Sequence, residues 1–273
     1  MNWPAVQLAQ LRDDAARLPF FLGRHRVGSV ARQHLPALAA WPCCLRLSSS
    51  ALVLTGDDPT AAWVQINAAL HEQGLVRGWR NETYAVPGLD NGRLLARIER
   101  AAARFWGTLT LGAHATGFVA CADGRPTHLW IARRALNKAT DPGLLDNLVG
   151  GGVPVGQTPW QALLREGWEE AGLPMAVMAT ANPGHVIRLH RDVPEGLQLE
   201  DIHSHDLQLP AGMLPYNQDG EVAAFDCLPV QQALTLAASH QMTVDASLVT
   251  LDIALRRGLC AAPAGALQLM RSA

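Results

Sequence analysis

Residues 150–173, GGGVPVGQTPWQALLREGWEEAGL, decide how this chain is read. The second half of the stretch has the marks of a helix with both ends defined. Thr158 suits the N-cap, Pro159 suits the first helical position, and Gln161 stands where a capping box places its acceptor. Gly172 sits where a helix commonly closes on a left-handed residue. The spacing predicts a helix over residues 159–171.

At about 100° per residue, Glu166, Glu169 and Glu170 fall within one arc of about 100°. Trp160, Leu164, Trp168 and Ala171 cluster on the opposite side, so the expected helix has one apolar and one carboxylate face. The three carboxylates lie in its second half, where the helix dipole disfavours anions. Like charges three and four residues apart add repulsion. A solvated acidic surface would give the same composition, but a hard divalent cation would reverse the sign of both penalties. Mg²⁺ takes carboxylate oxygens and bridges to phosphate.

The stretch resembles the Nudix box: Gly, five residues, Glu, seven residues, then Arg-Glu-U-x-Glu-Glu-x-Gly-U with U apolar. Gly151, Arg165, Glu166, Glu169, Glu170, Gly172 and Leu173 match, while Gln157 and Gly167 depart. Gln157 can accept from Arg165 only without charge assistance. Gly167 removes a packing group and costs a helix about 1 kcal/mol relative to Ala. The likeness extends to GWRNETY (78–84), ERAAARFWG (99–107), residues 129–152 and DGEVAAF (219–225). These resemble a subgroup whose Nudix domain occurs alone or fused to thiamin pyrophosphokinase.

The resemblance implies an α/β (mixed α+β) fold, a Nudix α/β/α sandwich around a mixed sheet. It implies hydrolysis of thiamin diphosphate or its oxidised analogues to the monophosphate, with Mg²⁺ or Mn²⁺. Glu166, Glu169, Glu170 and the Gly150 carbonyl would hold metal, Arg165 would orient the carboxylates, and Glu221 would add a metal-binding or basic group. Arg133, Arg134 and Lys138 are candidates for binding phosphate, and Asn147 for positioning substrate or holding its loop. His114 is a site residue by resemblance and a structural one by base expectation. Trp79 and Trp130 offer stacking faces but fit a buried core better. Another nucleoside-diphosphate substrate, or a non-catalytic sensor of a phosphorylated ligand, are the competing readings. A homodimer is a further expectation from the resemblance.

Working outward, residues 1–104 read as a small α+β unit and 105–273 as the Nudix domain. In the first, helices are expected over 5–18, 58–73 (after Asp57 and Asp58) and 93–104, with a hairpin over 44–55 turning at Ser48 to Ser50. In the second, strands are expected at 108–121, 127–134, 184–192 and 220–228, and helices at 229–240 and 245–257. The Ala- and Pro-rich end reads as loosely held.

The 273 residues are 49% hydrophobic and 17% charged, which suits a globular chain with a sizeable core. A net charge of -2 speaks against a general nucleic-acid binder. The N-terminus lacks the pattern of a signal peptide, and no apolar run reaches the roughly 18 residues of a membrane span. Five cysteines, two of them adjacent, fit neither a disulfide framework nor a zinc pattern. Reduced thiols in the cytoplasm are the expectation.

Overall fold

The computed structural model describes residues 2–56 and 58–272; Asp57, expected just ahead of a helix, lies outside them. The N-terminal unit contains α1 (Pro4–Leu8), β1 (Arg17–Leu22), β2 (His25–Ala31), α2 (Leu35–Leu38), β3 (Leu45–Leu47), β4 (Leu52–Leu54), α3 (Pro59–Glu72), β5 (Thr83–Pro87), β6 (Leu94–Glu99) and α4 (Arg100–Trp106). Four strands form a sheet in the order β2-β1-β4-β3, and β5 pairs with β6. The expected hairpin is the β3–β4 pair, and the helix after Asp58 is α3, capped by the Asp58 side chain. Phe20, Trp63 and Trp106 stack at the centre of this core, and Trp106 Nε1 donates to the buried Asn67 amide.

Two expected helices in this unit are corrected. Over 5–18 only α1 is α-helical; a 3₁₀ turn, Asp14–Ala16, leads into β1. The intervening backbone bonds to the far half of the chain instead, with the amides of His190 and Asp192 donating to the carbonyls of Ala9 and Leu11. Over 93–104 the chain is first β6 and then α4. Ala96 and Ile98 are buried while Leu94 and Arg97 are exposed, an alternation of period two that pairs with β5. Glu99 then caps α4 at the Ala101 amide, and Gly107 closes it at a φ of 58°.

The second unit runs β7 (Leu109–Ala120), β8 (Pro126–Arg134), β9 (Leu145–Asp146), β10 (Val149–Gly152), α5 (Pro159–Ala171), α6 (Met175–Met178), β11 (Asn182–Val193), β12 (Gly196–Gln208), β13 (Val222–Pro229), α7 (Val230–Ala237), α8 (Val244–Arg256), α9 (Ala266–Leu269) and β14 (Met270–Arg271). Its sheet has the order β13-β8-β7-β12-β11-β14, with β10 added to β7 and β9 to β8. It is mixed: β12 runs parallel to β7, whereas β7–β8 and β11–β12 are antiparallel. α7 and α8 pack on one face and α5 and α6 on the other, each over its own apolar core. That is the expected α/β/α arrangement.

Three further points depart from expectation. Strand β12 follows β11 through a turn at Pro194 and Glu195, in a stretch for which the sequence reading has no element. The chain end is held: Ala266 and Leu269 are buried and β14 pairs with β11. Trp3, Ala5, Val6 and Ala9 belong to the α7–α8 core, so the start of the chain straps across the second unit. The junction drawn at 104–105 falls within α4.

Candidate active site

α5 has the expected cap and end. Thr158 and Gln161 bond reciprocally to each other's backbone, and Gly172 closes the helix at a φ of 62°. Its orientation corrects the sequence reading. Trp160 and Trp168 are 36% and 54% exposed, while Ala162, Leu163, Gly167 and Ala171 turn inward together with Glu166 and Glu170. The carboxylate stripe therefore faces the protein rather than solvent. Small residues allow this close approach. Met178 lies so near Gly167 that a Cβ there would stand 2.5 Å from the Met178 sulfur. The packing group missing at Gly167 is thus supplied by α6.

The three glycines of β10 serve the same end from the other side. A Cβ on Gly151 would overlap the Glu166 carboxylate, one on Gly152 the Tyr84 hydroxyl, and one on Gly150 would stand 2.8 Å from the His114 ring. Helix α5, strand β7 and strand β5 of the N-terminal unit converge on one bare strand. The Gly150 amide donates to Glu170 Oε2 at 2.9 Å.

Glu166 and Glu170 are 9% and 6% exposed. Burial raises the Glu166 carboxyl to about 7, with Arg165 opposing it. Burial, reinforced by Glu166, holds Glu170 well above the ordinary carboxylate range against the pull of the Gly150 amide and Lys138. Arg165 donates to Glu166 at 2.8 Å and to the more exposed Glu169 at 2.6 Å. Its Nε reaches Gln157 only at 3.5 Å, the weak link expected of an uncharged partner. Among the described residues no three His, Cys, Asp or Glu side chains are set around a common point. By donor chemistry the stripe nonetheless suits a hard divalent cation: all oxygen, mutually repelling, and buried at a cost that positive charge would relieve.

Beside β10 lies a cavity of about 260 Å³. Lys138 lines it, 4.0 Å from Glu170 and bonded to Glu221. Glu221 also accepts from Arg80 at 2.6 Å. Burial works to raise the Glu221 carboxyl, but Lys138 and Arg80 overcome it and hold it at about 2. Glu221 is thereby brought near the stripe, engaged by two cations.

Other expected site residues do different work. Arg134 lines the cavity, but its donors go to Asp146 and to the carbonyls of Thr140 and Asp141, stapling the loop after β8. Arg133 is exposed outside the cavity and donates to the Gly143 carbonyl, as the alternation of a strand requires. Asn147 is buried and ties His114, Thr116, Ala246 and Thr250 together, a loop-holding role. His114 itself lines the cavity beneath Gly150. Trp130 is core, and Trp79 packs on His71 and the N-terminal core.

Sequence reasoning missed Arg77, Arg80, Tyr84, Arg100 and Arg104, which form the cavity's opposite wall. A signal was present, since four of these five fall within GWRNETY and ERAAARFWG, stretches noted for resemblance and given no role.

Two family models match the chain: the NUDIX domain over residues 112–246 and a domain of unknown function, DUF4743, over residues 5–110. Nudix hydrolase 20, chloroplastic, of Arabidopsis thaliana is 36% identical over 204 residues, covering 74% of this chain and 54% of that protein. Nudix hydrolase 24, chloroplastic, of the same plant is 36% identical over 205 residues, covering 74% and 55%. The chain thus spans about half the length of these curated relatives. A Deinococcus radiodurans protein of solved structure shares 22% identity over 63% of this chain and 99% of its own, with a TM-score of 0.49. The expected Nudix domain and kinship with Nudix hydrolases are borne out.

Proposed function

We propose that this chain, whose residues 112–246 are a NUDIX domain behind a DUF4743 domain, hydrolyses the diphosphate of a small organic substrate with the help of a divalent cation. The supporting observation is the burial of Glu166 and Glu170 against the glycine strand at the edge of a cavity that also holds Lys138. Glu166, Glu169 and Glu170 would hold Mg²⁺ or Mn²⁺, with the Gly150 carbonyl as a further oxygen donor. The ion supplies neutralisation of diphosphate charge and activation of water. Arg165 orients Glu166 and Glu169 and takes up their charge. Lys138, poised between Glu170 and Glu221, binds a phosphate oxygen. Glu221 orients Lys138 and would be a further carboxylate for the metal set.

The finer assignment is thiamin diphosphate or its oxidised analogues, giving the monophosphate; its support is the likeness of residues 78–84, 99–107 and 129–152 to that subgroup. We place the protein in the cytoplasm on the strength of five free thiols. No described helix is long and apolar enough to cross a membrane. We carry the homodimer as a proposal on the same resemblance. Phosphate release from thiamin diphosphates and a nucleoside-diphosphate panel, with and without Mg²⁺, tests the reading. Metal-dependent release confined to the thiamin compounds is the expected result. Release from nucleotides alone would replace the substrate, and no release from any diphosphate would remove the function.

A further inference from the structure

The cavity lies between the two units, and the positive charge on its N-terminal side is uneven in how it is spent. The Arg100 guanidinium donates to the Glu82 carboxylate at 2.8 Å, its single side-chain hydrogen bond among the described residues. Arg80 sends one side-chain bond to Glu221. Arg134, on the Nudix side, has its donors committed to its own loop. A guanidinium carries five donors in a planar fork suited to phosphate oxygens. Arg80 and Arg100 therefore retain more donors at the cavity wall than Arg134, whose three nitrogens are all engaged.

Both arginines are also held in place. Glu82 and the Tyr84 ring, 5.8 Å from the guanidinium, position Arg100. The Tyr84 hydroxyl in turn abuts Gly152 of β10. Arg80 shares Glu221 with Lys138, so the two cations approach the same space from different units. The cavity continues past Arg104, Thr140 and Asp245 into a second space of about 420 Å³, which gives the organic part of a ligand room beyond the charged groups.

We propose that the N-terminal domain is part of the active site: Arg80 and Arg100 bind the oxygens of the substrate's diphosphate across the cavity from strand β10, against which the α5 carboxylates pack. This rests on the hydrolase reading for its substrate, but anion binding by the wall stands apart from turnover. The domain acts as a phosphate-binding wall fixed to the Nudix domain by Tyr84 and by the Arg80–Glu221–Lys138 bridge.

The test uses the full chain and inorganic pyrophosphate as probe, titrated calorimetrically with Mg²⁺ present, alongside KM and kcat for whichever diphosphate is turned over. Arg80→Ala and Arg100→Ala are each expected to weaken pyrophosphate binding and raise KM by about tenfold, with kcat altered by less than about threefold. Arg100→Lys is expected to recover only part, because it keeps the charge and loses the fork. Arg46→Ala, an exposed arginine on β3, is expected to bind as the parent does. Thermal unfolding checks each variant; where alanine unfolds the chain, Arg80→Gln and Arg100→Gln, which keep most of the stem, take its place. Folded variants that bind pyrophosphate like the parent, or a parent that does not bind it, overturn the proposal. A parent that binds pyrophosphate and loses it in the variants, yet cleaves no diphosphate, supports the wall and overturns the hydrolase reading.

Discussion

The two walls of the cavity are built in opposite ways. On the Nudix side, a strand with no side chains lines the cavity, acidic groups of one helix are pressed against that strand, and burial raises the carboxyls of Glu166 and Glu170. On the N-terminal side, Arg80 and Arg100 come from a loop and a short helix and are each tethered by one carboxylate. The first wall gathers unfavourable like charge, and the second holds donors only partly used. A diphosphate with a divalent cation is complementary to the pair and to neither wall alone. The difference teaches that the domain of unknown function and the NUDIX domain divide one site between them.

The largest effect expected is at the acidic wall. Glu170→Gln keeps an oxygen for the Gly150 amide but removes a negative charge from the metal set. Metal-dependent turnover should fall by about a thousandfold, or about 4 kcal/mol of barrier. The metal-free chain should melt no lower than the parent, since a repelling buried charge has gone. Equal loss of melting temperature and activity would instead make Glu170 a structural residue.

A smaller effect is expected where the walls touch. Gly152→Ala places a methyl group on the Tyr84 hydroxyl. Overpacking of this kind costs about 1–3 kcal/mol, and here it pushes Arg100 and its neighbours off the strand. Denaturant unfolding should show that loss, with a rise in KM beyond what the acidic wall explains. Tyr84→Phe in the same chain should return part of both. No recovery would mean that the strand itself, and not the contact, had failed.

The smallest effect concerns the strap that joins the units. The His190 amide donates to Ala9, and its carbonyl accepts from Arg12. Burial, aided by Arg12, depresses the imidazole from 6.5 to about 4. Between those values the unfolded chain binds the extra proton, so stability is complete above pH 6.5 and declines as pH falls toward 4. His203 and His205 are depressed by burial too and contribute in the same direction. The raised carboxyls of Glu166 and Glu170 act in the opposite direction over the same range, so the reading is a difference: the melting temperature of the parent relative to His190→Gln should fall as pH goes from 7 toward 4. A difference that stays constant with pH would remove His190 from this account.

The same division governs what the sequence revealed. Helix α5 was legible because its cap, its end and its carboxylates are all local signals, lying between Thr158 and Gly172. Its facing was not: the tryptophans looked like its buried side, yet what selects the inward face is the bare strand β10 and Met178, both set by tertiary contact. In the N-terminal unit, residues 94–98 carry a period of two that a helical reading overrode, and residues 9–12 are shaped by bonding to β11. Arg80 and Arg100 reach the site only because a second unit folds against the first, which no local spacing encodes.

Binding of Mn²⁺, followed by the loss of free-ion paramagnetic resonance signal, tests the central claim most directly. The account predicts that the parent binds Mn²⁺ and that pyrophosphate tightens the binding. Glu170→Gln should lose the ion itself, and Arg100→Ala should keep the ion but lose the tightening. A parent that leaves Mn²⁺ free, or a Glu170→Gln chain that binds it unchanged, would contradict the claim.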